Sequence, residues 1–324
     1  MDFGVIGTAT IAQERFIPAI AKTDHTVIAV ASRTEEKAQT VAAAYDIPDA
    51  YGDYDDLIQN AEIDAVYIPL PNSEHAHWIR KVADQGLHIL CEKPLGVTAS
   101  EARTVGEYCA DRDVTLMEAL MYRYTPRTER ALELVNEELG EIRSVAATFH
   151  SELRGLPTGI RFDPDLGGGS MLDVGVYAVD AVRLFLGTPD RVSATTLDMH
   201  DSGVDTQMTA VFKYDENATA TVSSSFDTAE SQYYHIIGTE GWLTAEPAFS
   251  SPDVNTSINY DIDHRRIAET FSPTDPYKRE IQHFVDCVET GRSPRTDATE
   301  AAKTLAILDA IRESAETDTI VTVN

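Results

Sequence analysis

The stretch GVIGTATIAQERF, Gly4–Phe16, passes from a short apolar run through a loop of small residues into a helix-like segment. A dinucleotide-binding turn of this form uses three glycines: for the tight turn, for room beside a pyrophosphate, and for close helix-strand contact. Gly7 holds the first position, while Ala9 and Ala12 stand at the second and third. Alanine still permits close approach, and backbone amides at the helix start, at Thr10 and Ile11, favour an anion.

Working outward, the chain to about Glu118 alternates apolar runs with helical periodicity. Phe3–Gly7, Thr26–Ser32, a short run near Ala50, Asp64–Pro71, His88–Lys93 and Val114–Ala119 read as strands buried on both faces. Helix-like segments over Ile11–Ala21, Glu35–Tyr45, His75–Gln85 and Ala99–Asp111 separate them. Such alternation predicts a doubly wound parallel sheet, a Rossmann domain over residues 1–119. From residue 120 the pattern changes. After a helix over Pro126–Leu139 come period-two runs (RSVAATFHS, RVSATTLDM, DTQMTAVFKY, ATATVSSSF), then YYHIIGTEGWLTAE around a turn, TSINYDI and RIAETF. Two helices, Tyr277–Glu289 and Ala298–Ala315, close the chain. The expectation is a second α/β domain over 120–324, with an open, mostly antiparallel sheet.

Charge narrows the partners. The 324 residues carry 54 acidic against 26 basic side chains, a net charge of −28. Such a field repels nucleic acid and anionic membranes. Only seven lysines occur, and an acidic, lysine-poor surface suits a salt-accumulating, halophilic interior. No apolar run reaches the roughly 20 residues of a membrane span, and the N-terminus lacks a secretory pattern, so a cytoplasmic protein is expected. Cys91, Cys109 and Cys287 lie far apart without metal-ligand spacing, so neither a disulfide framework nor a metal site is expected.

The candidate site residues follow the strand ends. After the second strand stand Ser32 and Arg33, with Lys37 one turn on, where an enzyme using NAD would place an acid against the ribose hydroxyl. A guanidinium beside a hydroxyl suits a 2′-phosphate, which favours NADP. Later strands end in PLPNSEHAHW and CEKPLG, where ligands of parallel sheets bind. Glu92 and Lys93 therefore stand at the mouth of a cleft, and Pro94 restrains the backbone behind Lys93. Downstream, GGGSMLDVGVYAVDAVRLFL predicts a helix over Ser170–Leu186 with Asp173 and Tyr177 four apart on one face. Tyr122 and Arg123 are further candidates for substrate contact.

GVIGTATIA, ASR, PLPNSEH, CEKPLG, MEALMYRY and GGGSMLDVGVYAVD together resemble the glucose-fructose oxidoreductase / inositol dehydrogenase / MocA family over the whole chain, most of all its NADP-linked sugar and dihydrodiol dehydrogenases. The resemblance implies that Lys93, Tyr177 and Asp173 are catalytic. It implies that Leu70, Asn72, His75, Glu92 and Lys93 line the nicotinamide side, and that Ser32, Arg33 and Lys37 take the adenosine phosphate. Arg161 and Tyr277 are expected to reach the cofactor as well. The implied reaction is oxidation of a cyclic aldose, D-xylose first, at C1 to the lactone. A phenol of ordinary pKa near 10 needs a nearby ammonium to serve as proton acceptor, and Lys93 would supply it. Reduction of 1,5-anhydrofructose or a related ketone, dihydrodiol oxidation, and a non-catalytic NADP sensor are the alternatives. A homo-oligomer built on an apolar open face of the second sheet is also expected.

Overall fold

The computed structural model describes residues 1–153, 158–215, 217–249 and 255–323. In chain order the first elements are β1 (Asp2–Ile6), α1 (Ile17–Ile20), β2 (Thr26–Ala31), α2 (Glu35–Tyr45), β3 (Asp49–Tyr51), α3 (Tyr54–Asn60) and β4 (Ala65–Ile68). Then follow α4 (Asn72–Ala83), β5 (His88–Glu92), α5 (Ala99–Ala110) and β6 (Leu116–Ala119). The six strands form a parallel sheet in the order β3-β2-β1-β4-β5-β6. Every residue of β4 and β6 is buried, as strands covered by helices on both sides must be. The chain leaves β1 toward β2 on one side and returns to β4 on the other, so the carboxyl ends of β1 and β4 form a topological switch point. The sequence pattern did not indicate α3, a short helix whose Asp53 accepts the Asp55 and Asp56 amides.

The second group comprises α6 (Pro126–Glu137), β7 (Ile142–Glu152), α7 (Val176–Leu186), β8 (Arg191–Leu197), β9 (Gln207–Tyr214), β10 (Ala218–Ser225), β11 (Asp227–Gly238) and β12 (Gly241–Ala245). It ends with β13 (Thr256–Ile262), β14 (Arg265–Phe271), α8 (Pro276–Thr290), α9 (Ala298–Thr317) and β15 (Val321–Thr322). Nine strands form one sheet in the order β14-β13-β12-β11-β7-β10-β9-β8-β15. Its pairings are antiparallel except β7 with β10, because the chain crosses over through α7 and the β8-β9 hairpin before β10 pairs with β7.

Register separates the two faces of this sheet. Val192, Phe212, Ala220, Val145, Ile236 and Leu243 lie in one row and are all buried. The neighbouring row, Ser193, Val211, Thr221, Ala146, His235 and Thr244, is the open face. Three of these six side chains carry hydroxyls, and the same face exposes apolar groups at Leu197, Val211 and Ile237.

Two compact units emerge, Met1–Met121 with Asp275–Ala302, and Tyr122–Thr274 with Lys303–Asn324. The sequence boundary had left residues 275–302 in the second domain. Burial decides otherwise, since Phe284 of α8 packs 5.9 Å from Phe3 of β1, and Ile281 and Val285 are buried beside it.

Candidate functional site

At the nucleotide edge of the first unit, Gly7 ends β1 with φ +122, and a Cβ there would stand 2.9 Å from the Leu70 side chain. Only glycine fits this left-handed, crowded turn. The Gly7 amide donates to the Ala31 carbonyl at 2.9 Å, which ties the turn to the end of β2. Ala9 is half-buried and Thr10 exposed. Ser32 is buried, its hydroxyl 3.4 Å from that of Thr8, whereas Arg33 and Lys37 stand exposed beyond it. A tight glycine turn, small residues after it and two cations at the next strand end fit a dinucleotide bearing a 2′-phosphate.

The loops after β4 and β5 are fastened together by His75. Its ring is fully buried, with Nδ1 2.8 Å from the Pro94 carbonyl and Nε2 2.8 Å from the Leu70 carbonyl. Burial lowers its pKa, with the Lys93 charge adding to the effect, although the two carbonyls oppose the shift. His75 is thus a clamp on the backbone of the two loops that the resemblance assigns to the nicotinamide side. Asn72 and Leu70, on the same loop, are half-buried.

Carboxylates hold the CEKPLG turn. Glu92 Oε1 accepts the Tyr67 hydroxyl at 2.6 Å, and Tyr67 stacks on Phe16 with centroids 3.9 Å apart. Glu118 Oε1 accepts the Leu95 amide at 2.8 Å, and Glu101 Oε2 accepts that of Val97 at 2.9 Å. The Lys93–Pro94 peptide is cis, a point the sequence left open. Beneath lies Glu280 of α8, 2% exposed, whose Oε1 has no hydrogen-bond partner. Burial pushes its carboxyl well above the usual range, and the charges of Glu92 and Glu118 push the same way. Tyr277, on the same helix, is raised first by burial and then by Glu92. Lys93, at the start of this turn, is half-buried.

In the second unit, the predicted helix opens with a wider π-helical turn, Met171–Gly175, before α7 continues it. Asp173 therefore lies in the π turn and Tyr177 in α7, still four residues apart along one continuous helix. Arg161 Nε donates to Asp173 Oδ2 at 2.6 Å. The residue implied for the cofactor thus engages the implied catalytic acid. Tyr177 is 8% exposed, its ring 5.4 Å from Phe149, 5.8 Å from Phe249 and 6.0 Å from Tyr122.

Tyr122 and Arg123 do not present themselves to a substrate. Both turn onto Asp180, which is 1% exposed. Arg123 donates through Nε at 2.6 Å and Nη2 at 2.7 Å, and the Tyr122 hydroxyl donates to the same carboxylate. Sequence reading did not single out Asp180, Glu118 or Asp205, since each bonds a residue distant along the chain, nor Glu280, which is buried by packing alone.

Comparison with known proteins agrees with this architecture. Residues 1–120 match the model of an oxidoreductase family with an NAD-binding Rossmann fold, and residues 129–244 match the GFO/IDH/MocA C-terminal domain. D-xylose 1-dehydrogenase (NADP(+)) 2 of Haloferax volcanii is 53% identical over 318 residues, which is 98% of each chain. Among solved structures, a 3-ketoreductase from Actinomadura kijaniata in complex with NADP and TDP-benzene gives a TM-score of 0.91 at 29% identity, covering 97% of both chains. An aldose-aldose oxidoreductase from Caulobacter crescentus complexed with glycerol gives 0.92 at 26% identity, covering 99% of both.

Proposed function

The chain belongs to the GFO/IDH/MocA oxidoreductase family, and on that footing we propose that it is an NADP-dependent dehydrogenase oxidising a cyclic aldose, D-xylose first, at C1 to the lactone. The observation that carries this reading is 53% identity along 98% of both chains to an NADP-dependent xylose dehydrogenase. NADP, when bound, supplies the hydride acceptor at C4 of its nicotinamide.

The turn at Gly7, Ala9, Thr10 and Ile11 holds the pyrophosphate, and Ser32, Arg33 and Lys37 hold the 2′-phosphate. Leu70, Asn72, Glu92 and Tyr277 shape the nicotinamide end. Tyr177 accepts the C1 hydroxyl proton as the C1 hydride leaves with both electrons of its bond, and the carbon-oxygen pair closes to the lactone carbonyl. Lys93 is assigned to the same proton-transfer step. Asp173, steered by Arg161, orients the sugar. The reverse reaction, reduction of a keto sugar, has the support of the structural likeness to a ketoreductase.

The −28 charge supports work in a high-salt cytoplasm, a compartment that also supplies NADP. Among the described residues no helix is long and apolar enough to cross a membrane. Leu197, Val211 and Ile237 support a second copy of this chain on the open sheet face.

The test is a panel of pentoses and hexoses with NADP in concentrated salt, read at the reduced-nicotinamide absorbance, for the wild type and Lys93→Ala. The variant keeps NADP affinity and loses turnover by at least about 100-fold, the scale of a lost proton-transfer group. Undiminished turnover refutes the role of Lys93. Activity confined to ketone reduction reverses the direction.

A further inference from the structure

Ser170 stands at the start of the helix that carries Asp173 and Tyr177, yet its side chain does not cap that helix. The cap comes from Asp205, 35 residues on in the loop before β9. Its Oδ2 accepts the Ser170 hydroxyl at 2.7 Å and the Met171 amide at 2.8 Å, while its carbonyl accepts the Ser170 amide at 2.7 Å. The Ser170 hydroxyl also lies 2.9 Å from that of Ser224 on β10. Gly169, at φ +108, lets this approach happen, since a Cβ there would stand 2.4 Å from Asp205 Oδ1. This accounts for the last glycine of the GGGS motif.

We propose that Asp205 is a positioning residue: its carboxylate caps the helix start from outside and so fixes the turn that presents Asp173 and Tyr177. The proposal rests on the catalytic reading given above.

Burial raises the Asp205 carboxyl to about 6, against the pull of Ser170, the Met171 amide and the charge of Arg312 on α9. Of the other charged groups on the surrounding segments, Arg161 and Asp173 are paired with each other, and Ser170 and Ser224 are neutral hydroxyls. As pH falls through about 6 the carboxylate takes up a proton and becomes a weaker acceptor at the helix start. Wild-type kcat is therefore expected to fall on the acid side near this value.

Asp205→Asn keeps one acceptor oxygen but no charge. It lowers kcat about 5-fold, the difference between a charge-assisted and a neutral hydrogen bond, and removes the acid limb. Asp205→Ala loses about 30-fold, the upper scale of a lost helix cap. The KM for NADP stays unchanged in both. Hydrogen exchange provides a readout independent of turnover: the Met171 amide exchanges faster in Asp205→Asn, while amides of β1 and β4 do not. Unchanged kcat with the acid limb intact overturns the proposal, as does unchanged exchange at Met171. Should Ala fail to fold, Asn carries the test. Lys93→Ala and Tyr177→Phe run in parallel. Full turnover in those two refutes the catalytic reading, and Met171 exchange then decides the cap alone.

Discussion

Replacing Asp180 by Asn changes one atom and leaves Arg123 facing a neutral amide in a site where the guanidinium is 9% exposed. Burial by itself would raise the Asp180 carboxyl. The Arg123 charge and bonds, the Arg183 charge and the Tyr122 hydroxyl outweigh it and hold the group down at about 2, from an ordinary value of 3.8. At 1.36 kcal/mol per pKa unit, that difference amounts to about 2 kcal/mol of stability at neutral pH. Stranding Arg123 adds to it, and breaking a buried pair from one side typically costs about 3–5 kcal/mol in all. Thermal unfolding followed by circular dichroism is the assay, with a midpoint about 6–20 °C lower expected at pH 7 on the scale of about 2–4 °C per kcal/mol. The sign with pH is fixed by the depressed value: the stabilisation is complete above the unfolded pKa near 3.8 and disappears as pH falls through 2. The gap between wild type and variant therefore closes on acidification. Replacing both partners, Asp180→Leu with Arg123→Met, recovers much of the loss, because it leaves no buried charge. A loss under about 1 kcal/mol at pH 7, or a gap that widens toward pH 2, would falsify the account, since pairs that contribute this little are the solvent-exposed ones.

Arg33→Ala is expected to raise the KM for NADP about 10- to 100-fold, the scale of a charge-assisted bond to phosphate, while leaving that for NAD within about twofold. Steady-state kinetics with both cofactors checks this, and equal weakening of the two removes Arg33 from the 2′-phosphate. Glu280→Gln tests the buried proton. In the wild type the folded carboxyl holds a proton that the unfolded chain releases above about 4.5, so stability erodes as pH rises past that value. Glutamine has no such proton to hold. The variant should match the wild type near pH 4 and melt higher at pH 8, and a lower midpoint at pH 8 contradicts a neutral Glu280.

The sequence by itself determined the parallel sheet, because helices and fully apolar strands alternate at periods that report how many faces of an element are covered. It also singled out the candidates at the strand ends, since Gly7, Ser32 and Lys93 follow directly on β1, β2 and β5, and Arg33 comes one residue later. Periodicity says which face is buried but not what covers it, so partners far apart along the chain were left to the tertiary structure. That is why α8 returned to pack Phe284 on Phe3, and why β10 lay parallel to β7 in a sheet whose runs suggested hairpins. It is also why His75 became a clamp and Arg161 a partner of Asp173. Asp180 reaches Tyr122 across 58 residues and Asp205 reaches Met171 across 34. Each such carboxylate has its role only because packing buries it against a particular donor, and desolvation makes that pairing strong; a linear spacing carries no trace of either.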